Sequence, residues 1–353
     1  MNNVLTATRQ ACMLRCPRAH YWQYEIGLRR ESSGLALRVG SAWARGMEAR
    51  WKDANFDEAL AAACNLEDLD AYAAATVAGL LTGYYRYYGE RETVGHLNPE
   101  VQFDYKLKGS RTFSAAGKLD GLGSLSDGRS VIVEAKTTSD SLAPESSYWL
   151  RLRFNPQILQ YVSAVRAAGW QISEVIYDVT RKPCIKPKQI TDCDSSGLKI
   201  VLDRNGNRVF KTNGEPRQTC CEADGHTLKS HLETPDEFAD RLIADIASRP
   251  DFYFCRREIP ILDDDLDDFV DSRLEIADRI LRARKREKRF VDNPERAWVR
   301  NVDQRICNCC SYASFCLQNI KPNLEEPPEG FSIQPFNPEL ADTSVTEETN
   351  TPI

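Results

Sequence analysis

Two carboxylates and a lysine meet at the ends of two neighbouring apolar runs in the stretch GKLDGLGSLSDGRSVIVEAKTT. Asp120 closes the first run, and Glu134 and Lys136 close the second. The Asp127-Gly128 pair between them is typical of a β-hairpin turn, which would set the two runs side by side. Alternate residues of a strand point to one face, so Glu134 and Lys136 share a face. Such a group can bind a hard divalent cation and hold a water molecule beside it.

The elements that must position these residues are predicted from hydrophobic periodicity and turn signals. Helices are predicted at residues 36–52, 57–88, 145–168 with a break before Pro156, 234–250 and 264–289. Strands are predicted at residues 100–108, 112–120, 130–136, 174–183 and 251–261. A helix between two strands favours an α/β crossover onto one sheet. We therefore expect an α/β fold, with a central mixed sheet flanked by helices and an N-terminal helical region.

Composition is that of an ordinary globular protein, with 353 residues and a net charge of −6. We expect one domain over residues 1–320, with an inserted lobe at 183–232, and a disordered or loosely attached tail at 321–353. The tail is rich in Pro, Glu and Asn. No apolar run is long enough to span a membrane, and the N-terminus lacks the pattern of a signal peptide, so a cytoplasmic protein is expected. The charge neither indicates nor excludes a nucleic-acid partner, because binding needs only a local basic patch.

The D…ExK pattern, followed by a helix, resembles the PD-(D/E)XK nuclease superfamily and its restriction-endonuclease-like sheet. More narrowly, residues 12–316 resemble the RecB-type exonucleases, which include the CRISPR-adaptation nucleases. The resemblance implies that Asp120, Glu134 and the backbone carbonyl of Ala135 ligate Mg²⁺ or Mn²⁺. It also implies that Lys136 orients and helps to activate the attacking water. The pattern alone recurs by chance in charged hairpins, so further matches matter.

Three further positions follow the RecB-type pattern in part. Gln157 and Tyr161 lie four residues apart on the predicted helix and match the family's QxxxY motif, which contacts DNA and supports the active site. Glu100 precedes the Asp120 strand, where family members often place a Glu near the metal. The helix around Gly40 resembles the family's GxxxH motif, but Ala44 stands where a His would ligate the metal.

The alanine at position 44 leaves two explanations open. Either the natural protein has lost this ligand, or the chain carries an inactivating substitution, which the intact surrounding pattern favours. A methyl group does not coordinate a metal, so metal affinity and reaction rate should both fall.

A cysteine cluster lies near the C-terminus in the segment RICNCCSYASFC. Its compact spacing lets the thiolates of Cys307, Cys310 and Cys316 converge on one metal or cluster. Cys16 is the candidate fourth ligand, and Cys12 and Cys309 are the possible replacements for Cys16 and Cys307. Resemblance to the iron–sulfur members of the RecB-type family implies a 4Fe–4S cluster on Cys16 and the CxxCx5C triad, stapling the two chain ends together. A zinc ion on the same thiolates and free thiols are the alternatives.

DNA is the expected partner, and Arg151 and Arg153 are the first candidate contacts because they precede Gln157 and Tyr161. Nearby aromatic residues, Tyr148, Trp149 and Phe154, suit stacking on unpaired bases, although at least two of the three are expected in the core. The last residues of the predicted helix 264–289 are mostly basic, and the first interpretation of them is a solvated helix face.

The expected function is a metal-dependent DNA nuclease, by resemblance an exonuclease that acts on free or single-stranded ends in recombination, repair or phage DNA processing. Two rivals remain. One is an inactive DNA-binding relative, which the missing His favours, and the other is a zinc-stabilised interaction protein with an accidental D…ExK pattern.

Overall fold

The structure is a computed structural model that describes residues 3–31, 34–64, 69–89, 91–172, 174–334, 337 and 340. The helices are α1 (Ala7–Arg15), α2 (Pro17–His20), α3 (Leu35–Trp51), α4 (Phe56–Cys64), α5 (Ala71–Tyr88), α6 (Ser147–Leu152), α7 (Pro156–Ala167), α8 (Pro235–Ser248), α9 (Pro250–Tyr253), α10 (Asp263–Glu287), α11 (Gln304–Asn308) and α12 (Ala313–Leu317). The strands are β1 (Val4–Leu5), β2 (Leu28–Arg30), β3 (Val94–Lys106), β4 (Ser114–Leu125), β5 (Ser130–Thr138), β6 (Glu174–Arg181), β7 (Gln189–Thr191), β8 (Val201–Leu202), β9 (Thr227–Leu228), β10 (Ser230–Leu232), β11 (Phe254–Pro260) and β12 (Phe331–Ile333). Within the described ranges, the chain forms no helix that is both long and apolar enough to cross a bilayer.

A six-stranded mixed sheet forms the centre of the molecule, in the order β1–β4–β5–β6–β11 with β3 paired to β4. The strands β3, β4 and β5 are antiparallel neighbours, whereas β5 and β6 run parallel. Helices α6 and α7 connect these two parallel strands, as the predicted α/β crossover requires. The predicted α/β class, with a mixed sheet flanked by helices, is confirmed.

The strand β4 changes partners along its length, and this opens a gap in the sheet. Its first two residues pair with β1, whereas Gly121–Ser124 pair with β5. Both partners lie on the same side of β4, because β3 occupies the other side from Ser114 to Leu125. The ladder between β4 and β5 stops at Gly121 and Val133. The next residues, Asp120 and Glu134, therefore lie where the two strands separate.

Local signals in the sequence set the elements around this gap. The hairpin between β4 and β5 turns at Gly128, which has a φ of +88° that glycine adopts without strain. The helix α7 begins at Pro156, and the Asn155 side chain caps it by accepting a hydrogen bond from the Gln157 backbone N–H at 3.0 Å. The predicted break before Pro156 is confirmed, and it fixes where Gln157 enters the gap.

Hydrophobic clusters hold helices on both faces of the sheet and join the chain ends. One face packs α7 and α10 through residues such as Val162 and Phe269. The clusters of the other face include Val133 and Ile176 from the sheet and residues of α3, α5 and α8. A further cluster around the fully buried Trp298 packs α1 and α2 against α10, α11 and α12. The two ends of the chain thus share one core.

The predicted lobe and tail differ in how closely they follow expectation. Residues 183–232 carry two small two-stranded sheets, β7 with β10 and β8 with β9, which are separate from the central sheet. Part of the predicted loose tail is instead built into the fold, because Phe331–Ile333 pair antiparallel with Leu28–Arg30. The Phe331 ring lies 5.7 Å from the Phe315 ring, so apolar packing fixes this strand. The tail from residue 341 onward lies outside the described residues.

Candidate active site

The two carboxylates of the sequence motif lie on either side of the gap between β4 and β5. Asp120 Oδ2 accepts a hydrogen bond from the Ala135 backbone N–H at 3.1 Å, in place of a strand-to-strand bond. Glu134 is 1% exposed, and its Oε1 accepts a hydrogen bond from Lys136 Nζ. Its Oε2 is buried and has no hydrogen-bond partner among the described residues. A buried carboxylate oxygen without a donor is costly, so this atom points to a ligand.

A chain of hydrogen bonds links this motif to α7. Lys136 Nζ donates to Gln157 Oε1 at 2.8 Å, and Gln157 Nε2 donates to the Tyr161 hydroxyl at 2.7 Å. Tyr161 is buried, with its ring 5.7 Å from the ring of Phe103. Gln157 and Tyr161 thus share one face of α7, as predicted, and together they hold the Lys136 side chain in place.

Two buried glutamines close the gap below the motif. Gln160 Nε2 donates to the Ala116 carbonyl at 2.9 Å, and Gln10 Nε2 donates to Gln160 Oε1 at 2.8 Å. Each glutamine is only 1% exposed. They replace the missing strand pairing of β4 with side-chain hydrogen bonds. Sequence reasoning missed both residues, although a Gln within the apolar face of a buried helix is itself a signal.

The electrostatics of the gap favour a bound cation. Burial of the Asp120 carboxyl raises its pKa well above the usual value, and the negative charge of Glu134 raises it further. Burial lowers the pKa of Lys136, but the charges of Glu134 and Asp120 outweigh this and the pKa is raised. Lys136 is therefore an ammonium at neutral pH. One positive charge facing two carboxylates leaves a negative excess that a divalent cation would neutralise.

The donor set fits Mg²⁺ or Mn²⁺, which prefer hard oxygen ligands. The available donors are Asp120, the unpartnered oxygen of Glu134 and the backbone carbonyl of Ala135. Over the described ranges, however, no three His, Cys, Asp or Glu side chains converge in a way that would hold a metal ion. The side chains at this gap that could ligate a cation are thus two carboxylates.

Glu100 lies near the motif but is already paired. It stands opposite Asp120 in the β3–β4 ladder, between the pairs Pro99 with Gly121 and Val101 with Leu119, and has a left-handed φ of +57°. Its carboxylate forms an ion pair with Lys118. Burial raises its pKa, an effect that Lys118 opposes. The structure therefore brings Glu100 beside the gap without aiming it at a shared metal.

Ala44, the position of the missing His, lies on the α3 face that turns toward this edge of the sheet. Gly40, one turn earlier, is so close to the end of β5 that a methyl group there would lie 3.5 Å from Thr137 Oγ1. Glu48, one turn later, is close enough to add to the raised pKa of Glu100. Residues at this spacing share a helix face, so Ala44 lies between the two contacts. It is exposed, which leaves room for a larger side chain.

The predicted DNA-contacting arginines lie between two exposed apolar residues, one in α6 and one in the turn that follows it. Arg151 pairs with Asp140 at 2.6 Å, and Arg153 Nε bonds Asp265 Oδ2 at 2.9 Å. On either side of the arginines in the chain, Leu150 is 74% exposed and Phe154 is 59% exposed. Of the other two aromatic candidates, Trp149 is buried and Tyr148 packs against the core, as expected for two of the three.

Four cysteines line one cavity at the joined chain ends, although no three of the described ones converge closely enough to form a metal site as they stand. Cys16, Cys307, Cys310 and Cys316 all line one small cavity, together with apolar residues of α11 and α12. Cys12 and Cys309, the two alternatives, are not in its lining. Burial raises the pKa of Cys310 and of Cys316, and the neighbouring Cys16 adds to both shifts. Thiolates gathered here would need a metal charge to offset their repulsion.

A mixed sheet that separates around two carboxylates and a lysine is the type of site that metal-dependent nucleases use. The family model described as the PD-(D/E)XK nuclease superfamily matches residues 4–317, and the chain belongs to this superfamily. Its members are generally nucleases and typically use Mg²⁺ or Mn²⁺. No curated protein matches the chain. The crystal structure of SSO0001 is similar at 12% identity, over 91% of this chain and 89% of that chain, with a TM-score of 0.34 that carries no weight for the assignment.

Proposed function

We propose that this protein is a metal-dependent deoxyribonuclease that hydrolyses phosphodiester bonds, and that it acts as an exonuclease on free or single-stranded DNA ends. The observation that carries the proposal is the buried, unpartnered Oε2 of Glu134 beside Asp120 in the gap between β4 and β5. Superfamily membership supports the nuclease class.

Asp120, Glu134 and the Ala135 carbonyl would hold Mg²⁺ or Mn²⁺. When bound, such an ion lowers the pKa of a water molecule and offsets charge on the phosphate. The Lys136 ammonium orients the attacking water or contacts a phosphate oxygen, because its raised pKa keeps it a donor. Gln157 fixes the lysine, and the buried Tyr161 fixes Gln157.

The exposed face of α6 supports a substrate with unpaired bases. Phe154 and Leu150 offer apolar surface for a base, and the Arg153 guanidinium lies 5.3 Å from the Phe154 ring centre. Stacking on an aromatic ring needs a base that is free of its partner, as at a single-stranded end. Arg151 would exchange its exposed partner Asp140, and Arg153 its buried partner Asp265, for phosphate groups.

We also propose that Cys16, Cys307, Cys310 and Cys316 ligate a 4Fe–4S cluster that joins the chain ends. The shared cavity supports a common ligand for these four thiols. Zinc is the alternative. Purified protein with broad absorption near roughly 400 nm would support iron–sulfur, as for such proteins in general, and a colourless protein with bound zinc would support the alternative.

The test of nuclease function uses end-labelled single- and double-stranded DNA with Mn²⁺. The native chain, the Ala44→His variant, and both in an Asp120→Asn background are compared. Ala44→His should raise Mn²⁺-dependent cleavage, because it supplies a nitrogen ligand on the helix face beside the gap. Asp120→Asn should abolish cleavage in either background.

The outcomes also separate the rival function. Cleavage that survives both Asp120→Asn and Lys136→Ala would place the chemistry elsewhere. DNA binding without cleavage, even with Ala44→His, would favour the inactive DNA-binding relative, which the absence of a third side-chain ligand supports.

A further inference from the structure

A solvent-open recess at the joined chain ends has basic, neutral polar and apolar side chains in its lining. Its charged residues are Arg18, Arg296, Arg300, Lys321 and Glu295. Four of these five are basic, so the recess carries a net positive charge. Glu295 acts electrostatically on Arg18 but forms no ion pair with any of the four within the described part of the chain, so a net positive charge remains.

Arg18 is the most informative of these residues because it is 6% exposed yet has no acidic partner. Its Nε donates to the Trp298 carbonyl at 3.0 Å, which holds the side chain in place. Among the residues that the structure describes, its guanidinium makes no ion pair and no second hydrogen bond, and it lies 5.9 Å from the centre of the Trp22 ring. Arginines are rarely buried without a counter-charge. The fork of this guanidinium therefore remains available to an anion in the recess.

Arg300 completes the pair from the opposite chain end. Its Nη2 donates to Asn319 Oδ1 at 2.7 Å, while its Nε is buried and lacks a partner among the described residues. Arg300 also lines the cysteine cavity, so the recess adjoins the chain-end junction. Two guanidinium groups fixed by neutral partners match the several oxygens of a phosphate group better than a single carboxylate.

We propose that this recess is a binding site for a phosphate group, and that the group belongs to the backbone of a nucleic-acid strand. The exposed apolar part of its lining, Ile320 and Leu324, suits the sugar and base attached to such a phosphate better than free inorganic phosphate. The nucleic-acid source rests on the proposed function, whereas the phosphate site itself does not. The strand would run from the gap between β4 and β5 along α1, because Gln10 of this helix contacts Gln160 at the gap and the helix ends three residues before Arg18.

The experiment compares the full-length protein with Arg18→Gln and Arg300→Gln, without added divalent metal so that no cleavage occurs. The matched control is Arg282→Gln, because Arg282 is exposed and paired with Glu275 on α10. Melting temperature is measured in sodium phosphate and in sodium chloride of equal ionic strength. Affinity for a short fluorescent single-stranded DNA is measured over a range of salt concentrations.

Phosphate should raise the melting temperature of the native protein and of the control, and neither recess variant should respond. DNA affinity should fall by about tenfold in each recess variant, with the salt dependence reduced by roughly one phosphate contact. Should Arg18→Gln fail to fold, the half-exposed Arg300→Gln decides the outcome, and Arg300→Lys should restore part of the affinity.

Two results would overturn the proposal. Loss of the phosphate response with unchanged DNA affinity would overturn the nucleic-acid source and assign the recess to free phosphate. If phosphate does not raise the melting temperature of the native protein, and the arginine variants bind DNA as tightly as the native protein does, the proposed site is wrong. These results are distinct from a failure of the nuclease proposal, in which Mn²⁺-dependent cleavage is absent while the arginine variants still weaken DNA binding.

Discussion

The proposed catalytic gap between β4 and β5 and the cavity lined by the four cysteines both hold side chains proposed as metal ligands, but they assemble them differently. In the gap, Asp120, Glu134 and Lys136 come from one hairpin and are held by direct hydrogen bonds. In the cavity, Cys16 meets cysteines almost three hundred residues later in the chain. Cys16 is held in this position by packing in the surrounding core. Its sulfur also accepts a hydrogen bond from the Asn301 backbone N–H at 3.5 Å.

The side chains of the gap are preorganised without a metal, whereas a ligand in the cysteine cavity would cross-link distant parts of the chain. Lys136 supplies a positive charge in the gap, so the carboxylates keep their positions without a metal. In the cavity, burial raises the pKa of Cys310 and of Cys316, so a bound metal would have to displace their protons. A ligand in the cavity would tie distant chain segments together and so contribute to folding. Changes in the gap should therefore affect activity alone, and changes in the cavity should affect stability.

The largest expected effect is that of Asp120→Asn on cleavage. We expect a loss of about a thousandfold in Mn²⁺-dependent cleavage, or ~4 kcal/mol, because a metal-ligating carboxylate becomes neutral. The amide oxygen still accepts the Ala135 N–H, so the fold is kept. The raised pKa means that ionised Asp120 opposes folding at neutral pH, above its unfolded pKa. The free energy of unfolding, measured in denaturant without metal, should stay the same or rise.

The control for this variant is the neighbouring Asp127→Asn in the exposed hairpin turn, which should cleave like the native protein. Strong destabilisation by Asp120→Asn, with a parallel loss of activity, would contradict the separation of the two regions.

Much of the catalytic gap could be predicted because its signals are local. The Asp-Gly turn fixes the hairpin, strand alternation places Glu134 with Lys136, and helical spacing places Gln157 with Tyr161. The separation of β4 from β5 could not be read from the sequence, because it depends on β1 occupying the start of β4. The same holds for the Gln10–Gln160 contact, which joins residues from distant parts of the chain.

The next largest effect is that of Cys310→Ser on stability. With the proposed cluster bound, the native chain has a closed loop of almost the whole domain, and losing such a link costs about 3 kcal/mol on the scale of long-range cross-links. The variant should also lose visible absorption, and its residual cleavage per folded molecule should match the native value. Chemical denaturation and an absorption spectrum measure the two effects.

Cys309→Ser is the matched control, because Cys309 is exposed and lies outside the cavity lining. Equal loss of colour and stability in both variants would overturn the assignment of Cys307 and Cys310 as the ligands of this segment.

A smaller effect is expected for Tyr161→Phe in the gap. The change removes one hydroxyl and keeps the ring against Phe103, so Gln157 loses a partner while packing remains. One hydrogen bond contributes about 1 kcal/mol, so cleavage should fall several-fold through looser placement of Lys136. The turnover rate should change more than the substrate KM. Gln157→Ala removes both hydrogen bonds, the one to Lys136 and the one to Tyr161, and should lower cleavage more than Tyr161→Phe does. A larger loss in Tyr161→Phe than in Gln157→Ala would contradict this chain of hydrogen bonds.

The loose tail was the part of the fold that composition predicted least well. A few apolar residues in a Pro- and Glu-rich segment carry little periodic signal, and the edge of β2 that receives Phe331–Ile333 is visible only in three dimensions. The packing of Phe331 matters because it lies beside the cysteine cavity. The Phe331 ring contacts the rings of Tyr312 and Phe315, and Phe315 directly precedes Cys316.

The smallest effect is therefore expected for Phe331→Ala, at about 1 kcal/mol of unfolding free energy for a half-buried ring. Its control is Ile333→Ala on the same strand, which is 48% exposed and should cost less. If the cluster and this packing stabilise the same chain-end junction, the cost of Phe331→Ala should differ between the native and Cys310→Ser backgrounds. Strict additivity in this double-mutant cycle would mean that the strand and the cysteines stabilise the fold independently. Cleavage per folded molecule should be unchanged throughout, since the packing lies outside the catalytic gap.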